Sequence, residues 1–141
     1  MERPTRPTRA ALTTSATEFA DAAASAIAAA AVAGQSASLL AVRPSEDPAG
    51  SGANSSAAAV REQLVELLRW NLRQMDVVSV GSHDGILVLL PGASLEHARQ
   101  IASRLSAAIR GHAFAGSGSD RSRFSLTATI GVATSPQHGS D

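Results

Sequence analysis

Two short β-rich runs on either side of Asp84-Gly85 constrain the fold of this chain more than any other feature. The first run, at 76–82, reads Asp-Val-Val-Ser-Val-Gly-Ser, and the second, at 86–91, reads Ile-Leu-Val-Leu-Leu-Pro. An Asp-Gly pair tolerates the positive φ angles of a type I′ turn, the usual connection of a two-residue β-hairpin. The pattern therefore predicts an antiparallel hairpin that turns at Asp84-Gly85.

A helix is predicted on each side of this hairpin. Apolar residues recur at helical spacing between positions 60 and 72, after Ser56, whose hydroxyl can cap the first turn. The second helix is predicted over 94–110, where Gly111 is well suited to end it. Each helix has one apolar face, which a sheet can cover.

Three further elements complete the pattern. An Ala-rich helix is predicted over 15–33 and stops at Gly34, and a buried strand is predicted over 38–43. From Phe124 to Ala133 apolar residues alternate with Ser and Thr, which indicates a half-buried strand. The element order is therefore one helix followed by β-α-β-β-α-β.

This order predicts an α+β fold with a ferredoxin-like βαββαβ core and an extra N-terminal helix. Because crossovers between parallel strands are right-handed, both long helices should pack on one face of an antiparallel sheet. The strands at 38–43 and 86–90 are then central neighbours. The end of the strand at 38–43 should lie near the tip of the hairpin, where we expect any catalytic residues to be.

Length and composition limit the classes of function. The chain has 141 residues, enough for one domain and too few for two. We assign 1–11 to a flexible arm and 12–141 to the domain. Twelve basic residues balance twelve acidic ones, so no global field points to nucleic acid or anionic lipid. No cysteine is present, which excludes disulfides and thiolate metal sites.

The Ala-rich run at 22–34 follows three arginines and superficially resembles a signal peptide. Glu18 and Asp21 interrupt the approach to it, and alanine is only weakly apolar. We therefore predict a helix of a soluble protein, with no membrane insertion.

Three motifs resemble a known domain in order and spacing. Arg73-Gln74-Met75-Asp76 is followed five residues later by Ser82-His83-Asp84-Gly85-Ile86 and then by Leu-Val-Leu-Leu-Pro. The strand from Phe124 continues through Ile-Gly-Val-Ala-Thr-Ser-Pro. Together they resemble the RxxD, GGDEF, LLP and SIGVA..P motifs of the GGDEF (diguanylate cyclase) domain. The resemblance covers about 12–141, and the family's final helix is expected to be missing.

The resemblance implies that the cyclase chemistry is lost. In the family, carboxylates hold divalent metal against two GTP molecules. The two metal-binding Asp positions fall on Ala41 and Arg43, and the Glu of the signature falls on Gly85. Only Asp84 keeps an acidic residue. The remaining GTP contacts are also replaced, with the guanine-binding positions falling on Ala49 and Ala58 and the phosphate-contacting Lys on Glu46.

The surviving polar motif is the pair Arg73 and Asp76, placed at the C-terminus of the helix predicted over 60–72. In the family this RxxD is the inhibitory site for cyclic di-GMP. An Arg fork can bind guanine O6 and N7 or a phosphate, and a carboxylate can accept the guanine N1 and N2 hydrogens. The alternative is an ordinary exposed ion pair, with Asp76 assisting the turn into the next strand.

The other candidates are weaker. His83 lacks a ligand-spaced partner, and a turn histidine is the preferred interpretation. Trp70 is interpreted as a core or interface residue. The function expected from the sequence is a catalytically inactive GGDEF-like signalling module of the bacterial cytoplasm, without cofactor, that binds cyclic di-GMP. The alternative is a module for homodimerisation or for contact with a partner signalling protein, and residual cyclase activity is the least favoured.

Overall fold

The computed structural model describes residues 11–13, 16–44, 54–80, 85–115, 123–124 and 126–136. These residues form three helices: α1 (Ala16–Ala33), α2 (Asn54–Trp70) and α3 (Leu95–Gly111). The strands are β1 (Ala11–Thr13), β2 (Ala37–Pro44), β3 (Val77–Ser79), β4 (Ile86–Pro91), β5 (Phe114–Ala115), β6 (Arg123–Phe124) and β7 (Ala128–Ser135). Five strands form one sheet in the order β1-β3-β4-β2-β7, and β5 pairs with β6.

Strand β2 lies between β4 and β7 and is antiparallel to both. Its pairing with β7 runs without interruption from Ala37 opposite Ser135 to Pro44 opposite Ala128. Its pairing with β4 ends at Val42 opposite Ile86. The prediction that the strands at 38–43 and 86–90 are neighbours is confirmed.

The main core lies on one face of the sheet, under α2 and α3. Alternate residues of β2 and β4, among them Leu40, Val42 and Val88, point to this face and are fully buried. The apolar faces of α2 and α3 cover them. Helices α2 and α3 therefore pack on one face of the sheet, as the element order predicts.

Helix α1 packs on strands β1 to β4. Its buried residues Phe19 and Ala30 lie outside the main core cluster, as do Ala37 and Leu89, which point to the opposite face of the sheet. Gly34 ends the helix with a φ of 73°, a conformation that glycine adopts without strain. The predicted helix at 15–33 is confirmed.

Helix α1 is also the one described helix whose length and composition would suffice to cross a membrane. Core helices of soluble proteins and signal sequences meet the same criterion.

The hairpin is confirmed as an antiparallel pair, but its predicted turn is wrong. The register pairs Ser79 with Leu87, which leaves residues 80–86 between the last partners. Positive φ angles occur only at Gly34 and Gly92 among the described residues, so Gly85 does not take the type I′ conformation. Asp84 lies outside the described residues.

Three other boundaries differ from the sequence predictions. The run from Phe124 to Ala133 is not one strand, because Phe124 pairs with Phe114 of β5 and only the part from Ala128 joins the main sheet. Helix α2 begins at Asn54, so Ser56 lies inside it. Gly111 is the last residue of α3 and His112 is its C-cap, with extended backbone.

Strand β1 was not predicted, and it pairs in parallel with β3. The predicted arm at 1–11 otherwise lies outside the described residues. The last described element is β7, so the absence of a final helix stays a prediction.

The start of α3 offers a test of this fold. Ser94 is the N-cap, and its hydroxyl accepts a 3.1 Å hydrogen bond from the backbone N–H of His97. We expect Ser94→Ala to lower the free energy of unfolding by about 1 kcal/mol in urea denaturation, because a terminal N–H loses its partner. Ser103→Ala, at an exposed position within the same helix, is the control and should be neutral or slightly stabilising. Equal losses in both variants would contradict the assigned helix start.

Candidate functional site

The Arg73–Asp76 pair lies in the turn that connects α2 to β3. Helix α2 ends at Trp70, so the pair stands beyond the helix rather than at its C-terminus as predicted. The Asn71 side chain donates to the Leu67 carbonyl at 2.8 Å and so satisfies one of the last helical carbonyls. The backbone N–H of Asp76 donates to the Arg73 carbonyl at 3.0 Å and closes the turn.

The two side chains form a fork-to-carboxylate contact. Arg73 Nη2 donates to Asp76 Oδ1 at 2.7 Å, and Arg73 Nε donates to the same carboxylate at 3.1 Å. The backbone N–H of Arg73 donates to Oδ2 at 2.7 Å. Asp76 is completely buried, whereas the Arg73 side chain is 34% exposed. The carboxylate is therefore occupied by protein donors, while about a third of the Arg73 side chain is exposed.

A further contact ties this turn to the sheet. Arg73 Nη2 also donates to the Pro91 carbonyl, at 3.1 Å, at the end of β4. The end of α2, the start of β3 and the end of β4 thus meet at one guanidinium. We call Arg73, Asp76 and the Pro91 carbonyl the arginine clasp.

Arg104 is a residue of this region that sequence reasoning did not identify. From α3 its Nη2 donates to the Asn71 carbonyl at 2.9 Å, two residues before Arg73. The contact is exposed. The spacing of α3 marks Arg104 as a polar-face residue, but only the packing of α3 beside α2 shows which turn it reaches.

Two large apolar side chains are exposed beside the clasp. Trp70 is 48% exposed and Met75 is 54% exposed. The interpretation of Trp70 as a core residue is wrong, because it stands at the helix end and leaves the core to Leu68 and Leu72. Its interpretation as an interface residue stays a prediction.

The positions that align with the family's metal site come together at the other end of β4. Ala41 and Arg43 on β2 are exposed. A side chain added at Gly85 would approach the Val42 carbonyl at 3.9 Å, so Gly85 lies directly beside them. No cluster of three or more His, Cys, Asp or Glu residues exists in the described part of the chain.

Several sequence candidates lie outside the described residues: Glu46, Ala49 and the signature residues Ser82, His83 and Asp84. Ile86, the last residue of the signature, is fully buried and starts β4. Of the other histidines, His112 makes an edge-to-face contact with Phe114 at a centroid distance of 4.6 Å, which is a packing role.

The fold is that of a nucleotide cyclase-like α+β domain, and more narrowly that of a GGDEF domain. The GGDEF domain of YfiN (TpbB) from Pseudomonas aeruginosa superposes with a TM-score of 0.78 and 24% identity, over 86% of this chain and 75% of that one. The GGDEF domain of FimX from the same organism gives 0.73 and 22%, over 84% and 72%. The coiled coil and GGDEF domain of DgcB from Caulobacter crescentus, solved in complex with cyclic di-GMP, gives 0.72 and 10%, over 84% and 63%. No family model and no curated protein matches the sequence.

The burial of Asp76 predicts a large effect on stability. We expect Asp76→Ala to lower the free energy of unfolding by about 2–4 kcal/mol, because the backbone N–H of Arg73 loses its acceptor and the β4 connection loses its anchor. Urea denaturation measures the loss.

The control is Glu66→Ala. It removes the partner of Arg69 in another i,i+3 ion pair, whose N–O distance is 3.0 Å but whose carboxylate is 46% exposed. This variant should cost less than about 1 kcal/mol. Losses of similar size in Asp76→Ala and Glu66→Ala would mean that the clasp has no structural role.

Proposed function

We propose that this chain is a catalytically inactive GGDEF-fold signalling module that binds cyclic di-GMP at the arginine clasp. The observation that supports it most directly is the side chain of Arg73, which is partly exposed and whose guanidinium is held in place by Asp76 and the Pro91 carbonyl. The Nε and Nη2 hydrogens of Arg73 are taken by Asp76 and the Pro91 carbonyl, so Nη1 is the nitrogen left to donate to a guanine acceptor or to a phosphate. Its orientation in the free chain lowers the entropy lost on binding.

Arg104 adds a second cation at the same turn. Its hydrogen bond to the Asn71 carbonyl keeps its guanidinium close to the residues that lead into Arg73. Cyclic di-GMP carries two phosphates and two guanine bases, so two neighbouring guanidinium groups suit it better than one.

Asp76 contributes by orienting Arg73. Its carboxylate is buried and accepts hydrogen bonds from both the side chain and the backbone of Arg73. Direct acceptance of the guanine N1 and N2 hydrogens would require the carboxylate to leave Arg73, and a buried charge would then lose its partner. Ligand contact through the guanidinium leaves the clasp intact.

The absence of cyclase activity is proposed from the residue types where the family binds metal. Ala41 and Gly85 offer no side-chain ligand, and Arg43 is a cation. A guanidinium near this position repels a divalent metal ion, and a metal ion is what neutralises the phosphates in the reaction.

We expect no cyclic di-GMP when the purified chain is incubated with GTP and Mg²⁺. The missing carboxylates leave the metal without ligands, so phosphoryl transfer has no charge stabilisation. Chromatography of the nucleotides after prolonged incubation makes the measurement. Product that increases in proportion to the protein concentration would refute the proposed inactivity.

Calorimetric titration of cyclic di-GMP tests the proposed ligand. We expect saturable binding that Arg73→Ala weakens by at least about tenfold, because a charge-assisted hydrogen bond contributes about 1.5–3 kcal/mol. Arg104→Ala should also weaken binding, by a smaller factor.

Arg110→Ala is the matched control, because it removes an exposed arginine from the last turn of α3. It should bind as the unmodified chain does. An absence of binding by a folded sample, or equal weakening by the Arg73 and Arg110 variants, would remove the ligand from the proposal.

The second candidate function is a protein interaction module, favoured by the exposure of Trp70 and Met75 next to the clasp. Exposed aromatic and methionine side chains are enriched in interfaces. The two functions separate experimentally, because Met75→Ser should weaken a protein contact and leave the binding of cyclic di-GMP unchanged.

We place the chain in the cytoplasm of a bacterium. The GGDEF domains that share its fold come from bacteria. Its balanced charge gives no field that would attract nucleic acid or an anionic membrane surface.

A further inference from the structure

The outer edge of the main sheet is formed by β7. This strand pairs with β2 over eight consecutive residue pairs, from Ala128 to Ser135, with no bulge. No described strand pairs with its other side. An edge strand carries a row of backbone N–H and C=O groups that can pair with another strand.

This edge carries none of the usual obstacles to pairing. The sequence from Leu126 to Ser135 contains no charged residue and no proline. Proteins commonly protect an edge with lysine, proline, a bulge or a very short strand. The opposite edge of the same sheet does have such protection, because β1 is only three residues long.

From this asymmetry we infer that β7 is a homodimer interface, in which the β7 strands of two copies pair antiparallel and join their sheets. An uncharged strand can pair with its own copy without placing like charges opposite each other. The short β1 at the far edge limits further addition, so the assembly closes as a dimer with twofold symmetry. The inference does not depend on the binding of any nucleotide.

The symmetry restricts the register of the dimer. Directly opposed residues of an antiparallel pair point to the same face of the sheet. A twofold axis perpendicular to the sheet therefore sets one residue of β7 opposite its own copy, and the axis passes between the two. For the strand Ala128–Ser135 the central choices are Gly131 and Val132. In either register Gly131 of each copy lies within one residue of the axis.

Gly131 and Ala41 provide a matched pair of substitutions. They are cross-strand partners, so they point to the same face of the sheet, and both are exposed. Gly131 has no positive φ, and no atom lies within 4 Å of a Cβ added there. A lysine is therefore accommodated at either position, but only position 131 is on the edge strand.

Sedimentation velocity over a dilution series tests the inference. We expect the unmodified chain to dimerise reversibly. Gly131→Lys should raise the dimer dissociation constant by about fivefold, equivalent to about 1 kcal/mol, because lysines of the two copies approach at the axis. Ala41→Lys should change it by less than about twofold, because its lysine lies on the inner strand.

Either of two results would overturn the inference: a monomer throughout the series, or equal weakening by both lysine variants, which would indicate contact through the sheet face instead. Hydrogen exchange of the unmodified chain gives a check that needs no variant. Amides of β7 should be protected at dimer concentrations and exchange faster on dilution. Dilution-independent exchange there, in a sample that sedimentation shows to dissociate, would exclude the β7 edge.

Discussion

Asp76 is the only charged side chain that the described residues bury completely, and the α2–β3 connection is organised around it. A carboxylate removed from water is costly unless charged and polar donors replace the lost solvation. Here the donors are the guanidinium and the backbone N–H of Arg73. Because the same guanidinium also reaches the Pro91 carbonyl, satisfying one buried charge fixes the end of α2, the start of β3 and the end of β4 together.

Strand β4 separates two regions of different chemistry. Its start, at Ile86, lies beside the positions that hold metal in the GGDEF family, and Ala41, Arg43 and Gly85 stand there. Its end, at Pro91, lies about 17 Å away along an extended strand and carries the clasp. The arginine clasp thus lies at the end of β4 opposite to the metal positions. Because of this separation, the proposed loss of cyclase chemistry and the proposed nucleotide site are compatible in one domain.

The sequence predicts the layers of this fold well, because hydrophobic periodicity directly reports which face of a helix or strand is buried. Helix α3 and strands β2 and β4 follow this rule closely. Turn geometry is less predictable: Asp84-Gly85 suits a type I′ turn, yet the β3–β4 register leaves a longer connection. The division of the run from Phe124 depends on its pairing with Phe114, a partner far enough along the chain that local pattern gives no sign of it.

The candidate site shows the same limit. The spacing of Arg73 and Asp76 identifies two residues that can meet, since i and i+3 are close in a turn as well as in a helix. The spacing does not indicate that Asp76 is buried while Arg73 is partly exposed. That difference depends on how β4 approaches the turn. Arg104 lies 31 positions beyond Arg73 in the sequence, so its arrival at Asn71 depends on the packing of α3 beside α2.

The most direct test of the clasp as a binding element is the nuclear magnetic resonance signal of the Arg73 Nε–H group, assigned by its loss in Arg73→Lys. The account predicts a slowly exchanging signal in the free chain, because Asp76 accepts from this nitrogen. The signal should persist and move on addition of cyclic di-GMP, as the outer edge of the guanidinium meets the ligand. A signal that exchanges rapidly with water, or that stays fixed under saturating ligand, would contradict the account.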